Sequence, residues 1–207
     1  MLQRAAAAQA SWFDDYAGTL ATVLGDAQAT DRAGNRVAVD HVIRWAAEAA
    51  RTAHEAGNKL IFVGNGGSAT TASHMATDYN KNGNLRTMAL NDGSMLTCLA
   101  NDYAFEHVFA KQVEFHGVRG DILVAMSASG TSANILNAVR TARAIGCTIL
   151  TMSGFAPDNT LRGEGDMNLY LPSDYYGVVE IGHLTLCHAI LDFSMERDGR
   201  GPARRRV

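Results

Sequence analysis

Cysteine and proline are both scarce, three of each in 207 residues. Three cysteines, Cys98, Cys147 and Cys187, are odd in number and sit in apolar stretches, which argues against a disulfide framework and for reduced core thiols. Neither charge sign dominates: 18 Lys and Arg stand against 21 Asp and Glu, a formal net charge of −3. That balance argues against a general nucleic-acid footprint. The basic cluster Arg204-Arg205-Arg206 follows Gly199 and Gly201 and reads as a solvated tail. No apolar run of about 18 residues is present, so no membrane span is expected. The opening residues, MLQRAAAAQASWFDDY, carry acids early and lack a hydrophobic signal core. These absences together lead to the expectation of a cytoplasmic protein with neither membrane nor nucleic acid as a partner.

What is present is apolar patterning, 47% of the chain being hydrophobic and enough for one well-buried domain. The spacing of Trp12, Phe13, Tyr16, Leu20, Val23 and Leu24 predicts a helix over 5–30. A polar break at 31–35 precedes a second helix over 37–56, closed by Gly57. Strands then read at 59–63, 87–90, 121–126, 148–152 and 167–171. Helices fall between them at 68–80, 105–116 and 132–145, with a further helical stretch leading to 101 and a long last helix at 177–196. Apolar strands alternating with helices predict an α/β three-layer sandwich with a doubly wound, mostly parallel sheet. The organisation expected is N-terminal helices over 1–56 that extend the same domain and serve oligomerisation, a main body over 57–198, and a flexible tail over 199–207.

Two strand-to-helix junctions carry chemistry. The apolar run Leu60 to Val63 stops at Gly64-Asn65-Gly66-Gly67-Ser68, where glycines let the backbone approach a ligand and a helix start offers N–H groups to an anion. No Gly-Lys-Ser/Thr follows as in a Walker loop, and the final glycine of a dinucleotide fingerprint is missing at its place, with no acidic residue closing the second strand. The second junction, Ser127-Ala128-Ser129-Gly130-Thr131-Ser132, is rich in hydroxyls. Such groups suit a phosphate monoester held by hydrogen bonds and a helix dipole, although Thr131 or Ser132 would also serve as a simple N-cap. Two such ends in one open α/β sheet favour a ligand, because ligands bind at the carboxyl ends of the strands.

On the helix over 68–80 His74 and Asp78 are four apart and share a face. On the last, Glu180 and His188 are eight apart, about two turns, so both are expected to reach one point from successive levels. Two histidines and two carboxylates form a plausible shell for a divalent metal such as zinc. His183, on the same helix, reads as a packed or surface residue.

The segments GNGGSATTASHMATD, LNDGSMLTCLANDYAFEHVFAKQV, MSASGTSANIL and VVEIGHLTLCH resemble the sugar isomerase (SIS) domain, and within it the phosphoheptose isomerase family. The likeness spans essentially the whole chain. It implies a flavodoxin-like fold and a homotetramer whose active sites lie at subunit boundaries. By position it implies phosphate contacts from Ser68, Ser127, Ser129 and Ser132, with Asn65, Gly66 and Asp92 facing the sugar. It also implies one zinc or other divalent metal per site, held by His74, Asp78, Glu180 and His188. Asp78 stands where the family has a glutamate that is both ligand and proposed base, and His188 where it has a ligand that is the second acid/base group. Four departures stand out. Asp78 is one methylene shorter than Glu, and Glu180 replaces a glutamine. Ala128 and Gly177 stand where a threonine and an aspartate are usual.

The resulting expectation is an aldose–ketose isomerase interconverting sedoheptulose 7-phosphate and D-glycero-D-manno-heptose 7-phosphate through an enediol. Another sugar phosphate is the nearer alternative. A non-catalytic scaffold, similar to the replication-initiator-associating proteins, is the more distant one.

Overall fold

The computed structural model describes residues 11–200. In chain order the elements are α1 (Trp12–Gly25), β1 (Gln28–Asp31), β2 (Arg36–Val37), α2 (Val39–Glu55), β3 (Leu60–Val63), α3 (Gly67–Lys81) and β4 (Thr87–Ala89). There follow α4 (Gly93–Asp102), a 3₁₀ turn at Phe105–His107, α5 (Val108–His116), β5 (Ile122–Ser127), α6 (Ala133–Ile145), β6 (Thr148–Ser153), β7 (Met167–Tyr170) and α7 (Tyr176–Arg197).

One sheet runs in the order β2-β1-β7-β6-β5-β3-β4. Its five strands from β3 onward pair in parallel. Every residue of β3 and β5 is buried, as expected of strands covered on both faces. Numbered among themselves, the parallel strands follow the flavodoxin-like order 2-1-3-4-5. The switch point therefore falls between β3 and β5, whose carboxyl ends are the glycine turn and the serine loop.

One apolar cluster joins α2, α3 and α7 to one face of the sheet through residues such as Val42, Met75, Leu186 and Ile190. The other joins α4, α5 and α6 to the opposite face through Leu99, Phe109, Ile135 and Val139. α7 is long and apolar enough to cross a membrane by length and composition. Here it is a core helix, with Val178, Val179, Leu186, Cys187, Ile190 and Leu191 buried.

Two expectations need correction. The helix predicted over 5–30 ends at Gly25, and residues 28–30 are strand; residues 5–10 lie outside the described residues, as do 201–207 of the tail. The cause is a hairpin. Asp31 Oδ1 accepts the backbone N–H groups of Ala33 (2.9 Å) and Asn35 (2.8 Å), which turns the chain back. β1 then lies antiparallel along the open edge of β7, burying Ala29 and Thr30. The N-terminal segment is thus part strand. The second correction concerns Cys98, which is exposed on α4 with its thiol 3.6 Å from Asp102 Oδ2, whereas Cys147 and Cys187 are buried.

Candidate active site

The serine loop is built on a backbone that only glycine tolerates. Gly130 has φ +66°, and a Cβ there would stand 1.9 Å from Asn159 Oδ1. Asn159, itself buried, donates to Ser153 Oγ (3.1 Å), to the Gly154 carbonyl (3.0 Å) and to the Ala156 carbonyl (2.8 Å). These bonds hold the side chain at the end of β6, where it lies against Gly130 of the serine loop. The loop hydroxyls converge: Ser127 Oγ lies 3.3 Å from Ser132 Oγ and 3.4 Å from Ser129 Oγ. Ser132 is the N-cap of α6, yet its side chain makes no capping bond. Its hydroxyl is turned into the serine cluster at the helix start instead.

The glycine turn is equally constrained. A Cβ on Gly64 would lie 2.6 Å from the Ser68 backbone, and Gly66 takes φ +53° as the residue before α3. Ser68 is buried in the first turn. Asn65 and Asn134 exchange two amide hydrogen bonds of 2.9 Å each, which fastens this turn to α6. Asn65 is therefore a brace between the two junctions. Asp92 caps α4, its Oδ1 accepting from the Met95 N–H at 2.9 Å, and its side chain is exposed.

About two turns into α3 the geometry turns metal-like. Donor atoms of His74, Asp78 and His188 all lie within 4.8 Å of one another. His74 Nε2 is 3.6 Å from Asp78 Oδ2, and the two imidazoles meet edge to face with centroids 5.5 Å apart. Donors bound about 2.0–2.2 Å from a zinc ion in tetrahedral array stand roughly 3.4 Å from each other. The trio needs only a small closure to reach that spacing. Two imidazoles and one carboxylate on two helices fit a borderline divalent metal and leave a position open.

Glu180 is not in this trio. Its carboxylate lies against the start of α3, where a Cβ on Gly67 would be 2.2 Å from Oε2. The eight-residue spacing thus puts Glu180 and His188 on neighbouring parts of the cleft, with the carboxylate directed at the glycine turn. The absence of a Cβ at Gly67 leaves the carboxylate that room.

His183 is fully buried between α7 and β6, with Nε2 donating to the Ser153 carbonyl at 3.2 Å. Among the described residues Nδ1 has no hydrogen-bond partner. Burial pushes its pKa down to about 4, the Ser153 carbonyl opposing that only in part. It stays neutral and ties α7 to the strand that ends beside the serine loop. Asn134 and His183 were not legible as site residues, because each works through a partner far away in sequence; Asn159 bonds locally, but its place against Gly130 is set by the fold.

A hydroxyl loop and a glycine turn at the switch point, with a histidine–aspartate–histidine cluster on α3 and α7, suit an α/β protein that handles phosphorylated sugars. A family model described as "SIS domain" matches residues 32–154. The chain is 41% identical over 170 residues to a phosphoheptose isomerase of a Bradyrhizobium species, covering 76% of this chain and 84% of that one. It is 36% identical over 152 residues to the phosphoheptose isomerase of Citrifermentans bemidjiense, covering 70% of this chain and 78% of that one. Its structure resembles a phosphoheptose isomerase from Francisella tularensis with TM-score 0.77 and 28% identity, over 89% of this chain and 96% of the other. The chain belongs to the phosphoheptose isomerase family of SIS-domain proteins, and is a phosphosugar isomerase.

Proposed function

We propose that this enzyme interconverts sedoheptulose 7-phosphate and D-glycero-D-manno-heptose 7-phosphate by proton transfer between C1 and C2. The observation that carries this reading is that one chain holds both a cluster of serine hydroxyls at the start of α6 and a His74–Asp78–His188 group on α3 and α7. The relatives named for this reaction support it.

In this reading the phosphate sits on Ser127, Ser129 and Ser132 at the start of α6, with Ser68 closing it from α3. Hydroxyls and helix-end amides hold a dianion without a resident lysine. Asp78 is the base that removes the proton from the carbon acid, and His188 moves protons on the adjacent oxygens. His74, Asp78 and His188 hold one zinc or similar divalent ion, with Glu180 available from the neighbouring wall of the cleft. When bound, such an ion supplies Lewis-acid polarisation of the substrate oxygens. Glu180 and Asp92 line the sugar side of the cleft.

The assembly we infer is a homotetramer with sites at subunit boundaries. Exposed Phe13 on α1 and exposed Phe115 and Val118 at the end of α5 support self-association. Buried Cys147 and Cys187, both free, suit a reducing cytoplasm.

The test is direct. Purified protein is incubated with a panel of ketose and aldose phosphates of five to seven carbons and followed by NMR. The reading expects isomerisation of the seven-carbon pair above all others. Turnover confined to a shorter sugar, or none at all, would overturn it.

A further inference from the structure

Gly177 leaves space in the first turn of α7, and a side chain from elsewhere in the fold comes up to it. A Cβ built on Gly177 would stand 3.1 Å from the phenol oxygen of Tyr16 on α1. Gly177 precedes Glu180 by three residues, so the two share a helix face, and Glu180 already points at the glycine turn. The Tyr16 hydroxyl therefore stands beside the first turn of α7, one turn before Glu180.

Two further observations bear on what that hydroxyl does. Its ring is fixed in place, stacked on Trp12 with centroids 5.4 Å apart and planes 20° from parallel, and packed against the apolar cluster of α2 and α7. No described residue hydrogen-bonds to the phenol oxygen. A tyrosine whose ring is held while its hydroxyl is left unpaired presents a donor and acceptor to something outside the chain.

We propose that Tyr16 is a specificity-determining residue whose hydroxyl binds a hydroxyl of the sugar chain, in the space that Gly177 vacates. This rests on the isomerase reading for its substrate class. It adds a contact from α1, a helix otherwise outside the site.

The test compares wild type, Tyr16→Phe, Gly177→Ala and the double variant. Each is assayed for KM and kcat with the seven-carbon ketose phosphate, for competitive inhibition by inorganic phosphate, and for binding of the same ketose phosphate by calorimetry. Tyr16→Phe keeps the ring and removes one neutral hydrogen bond. KM should rise about 3–10-fold, with kcat nearly unchanged and the inhibition constant for inorganic phosphate the same as wild type. Gly177→Ala, which drives a methyl against the oxygen, should raise KM similarly and add little in the Tyr16→Phe background. An unchanged KM in Tyr16→Phe overturns the proposal, as does an equal weakening of inorganic phosphate. If wild type turns over no sugar phosphate, the isomerase reading fails by itself. The calorimetric affinity of Tyr16→Phe then decides the contact, an unchanged value or no binding to wild type counting against it.

Discussion

Ser132 occupies the N-cap position of α6, yet its hydroxyl lies 3.3 Å from that of Ser127 and makes no capping bond. A cap that is not used as one leaves helix-end amides and hydroxyls together for an external anion. Removing either hydroxyl should weaken phosphate binding in ground and transition states alike, so KM should rise while kcat changes little. A charge-assisted hydrogen bond contributes about 1.5–3 kcal/mol, so Ser127→Ala and Ser132→Ala should each raise KM about 10–100-fold. Steady-state kinetics decide it, an unchanged KM in both variants removing the phosphate from this loop.

The His74–Asp78–His188 cluster makes a separate prediction. His188→Ala should lose bound metal and activity together while melting within a few degrees of wild type. Metal content by mass spectrometry, read beside the melting temperature, checks this. Full metal occupancy in the variant would show that His188 is no ligand, and a collapsed melting temperature would make it a structural residue.

His183 predicts the shape of the acid limb. Its folded pKa, near 4, lies below the usual value of 6.5 because it is buried. The unfolded chain therefore binds this proton first, and stability falls as pH drops from about 6.5 toward 4, by roughly 3 kcal/mol in all. Replacing it by glutamine, which retains a donor for the Ser153 carbonyl, should flatten that limb. Denaturant unfolding at pH 7, 5.5 and 4.5 measures the difference, and parallel curves for the two proteins would contradict it.

Asp121 governs stability at lower pH. Its burial alone would raise its pKa. Lys59 Nζ at 2.6 Å, with the backbone N–H groups of Val118 and Lys59 and the Asn58 amide, outweighs that and holds it below the ordinary 3.8. The stability it contributes is present at neutral pH and is lost as pH falls below about 4 through the folded value. Asp121→Asn should cost on the order of 3 kcal/mol at pH 7, leaving Lys59 unpaired beside a buried amide. The same substitution should reduce the pH dependence below 4; a loss that is equal at pH 7 and pH 3 would refute the assignment.

Much of this was readable from sequence wherever local chemistry decides structure. The glycine turn, the serine loop and the positions of the parallel strands follow from apolar runs broken by glycine and serine. β1 was not readable, because Gln28-Ala29-Thr30-Asp31 has no strong propensity and is a strand only because β7 offers an open edge. The helical spacing of Glu180 and His188 gave a shared region of the cleft but not the direction of a flexible side chain, which Gly67 settles by leaving room. Asn134 reaches Asn65 from 69 residues away, a pairing that only the topology creates. Tyr16 beside Gly177 is the same kind of fact.

The central claim is that Asp78 removes a proton from a sugar phosphate at this site. Wild type and Asp78→Asn are incubated with sedoheptulose 7-phosphate in deuterated water, and deuterium at C1 and C2 is followed by NMR. The account predicts exchange and interconversion by wild type, with both slowed about 10²–10⁴-fold in Asp78→Asn, as loss of a general base requires. Near-normal exchange in Asp78→Asn would contradict it and assign the base to another residue.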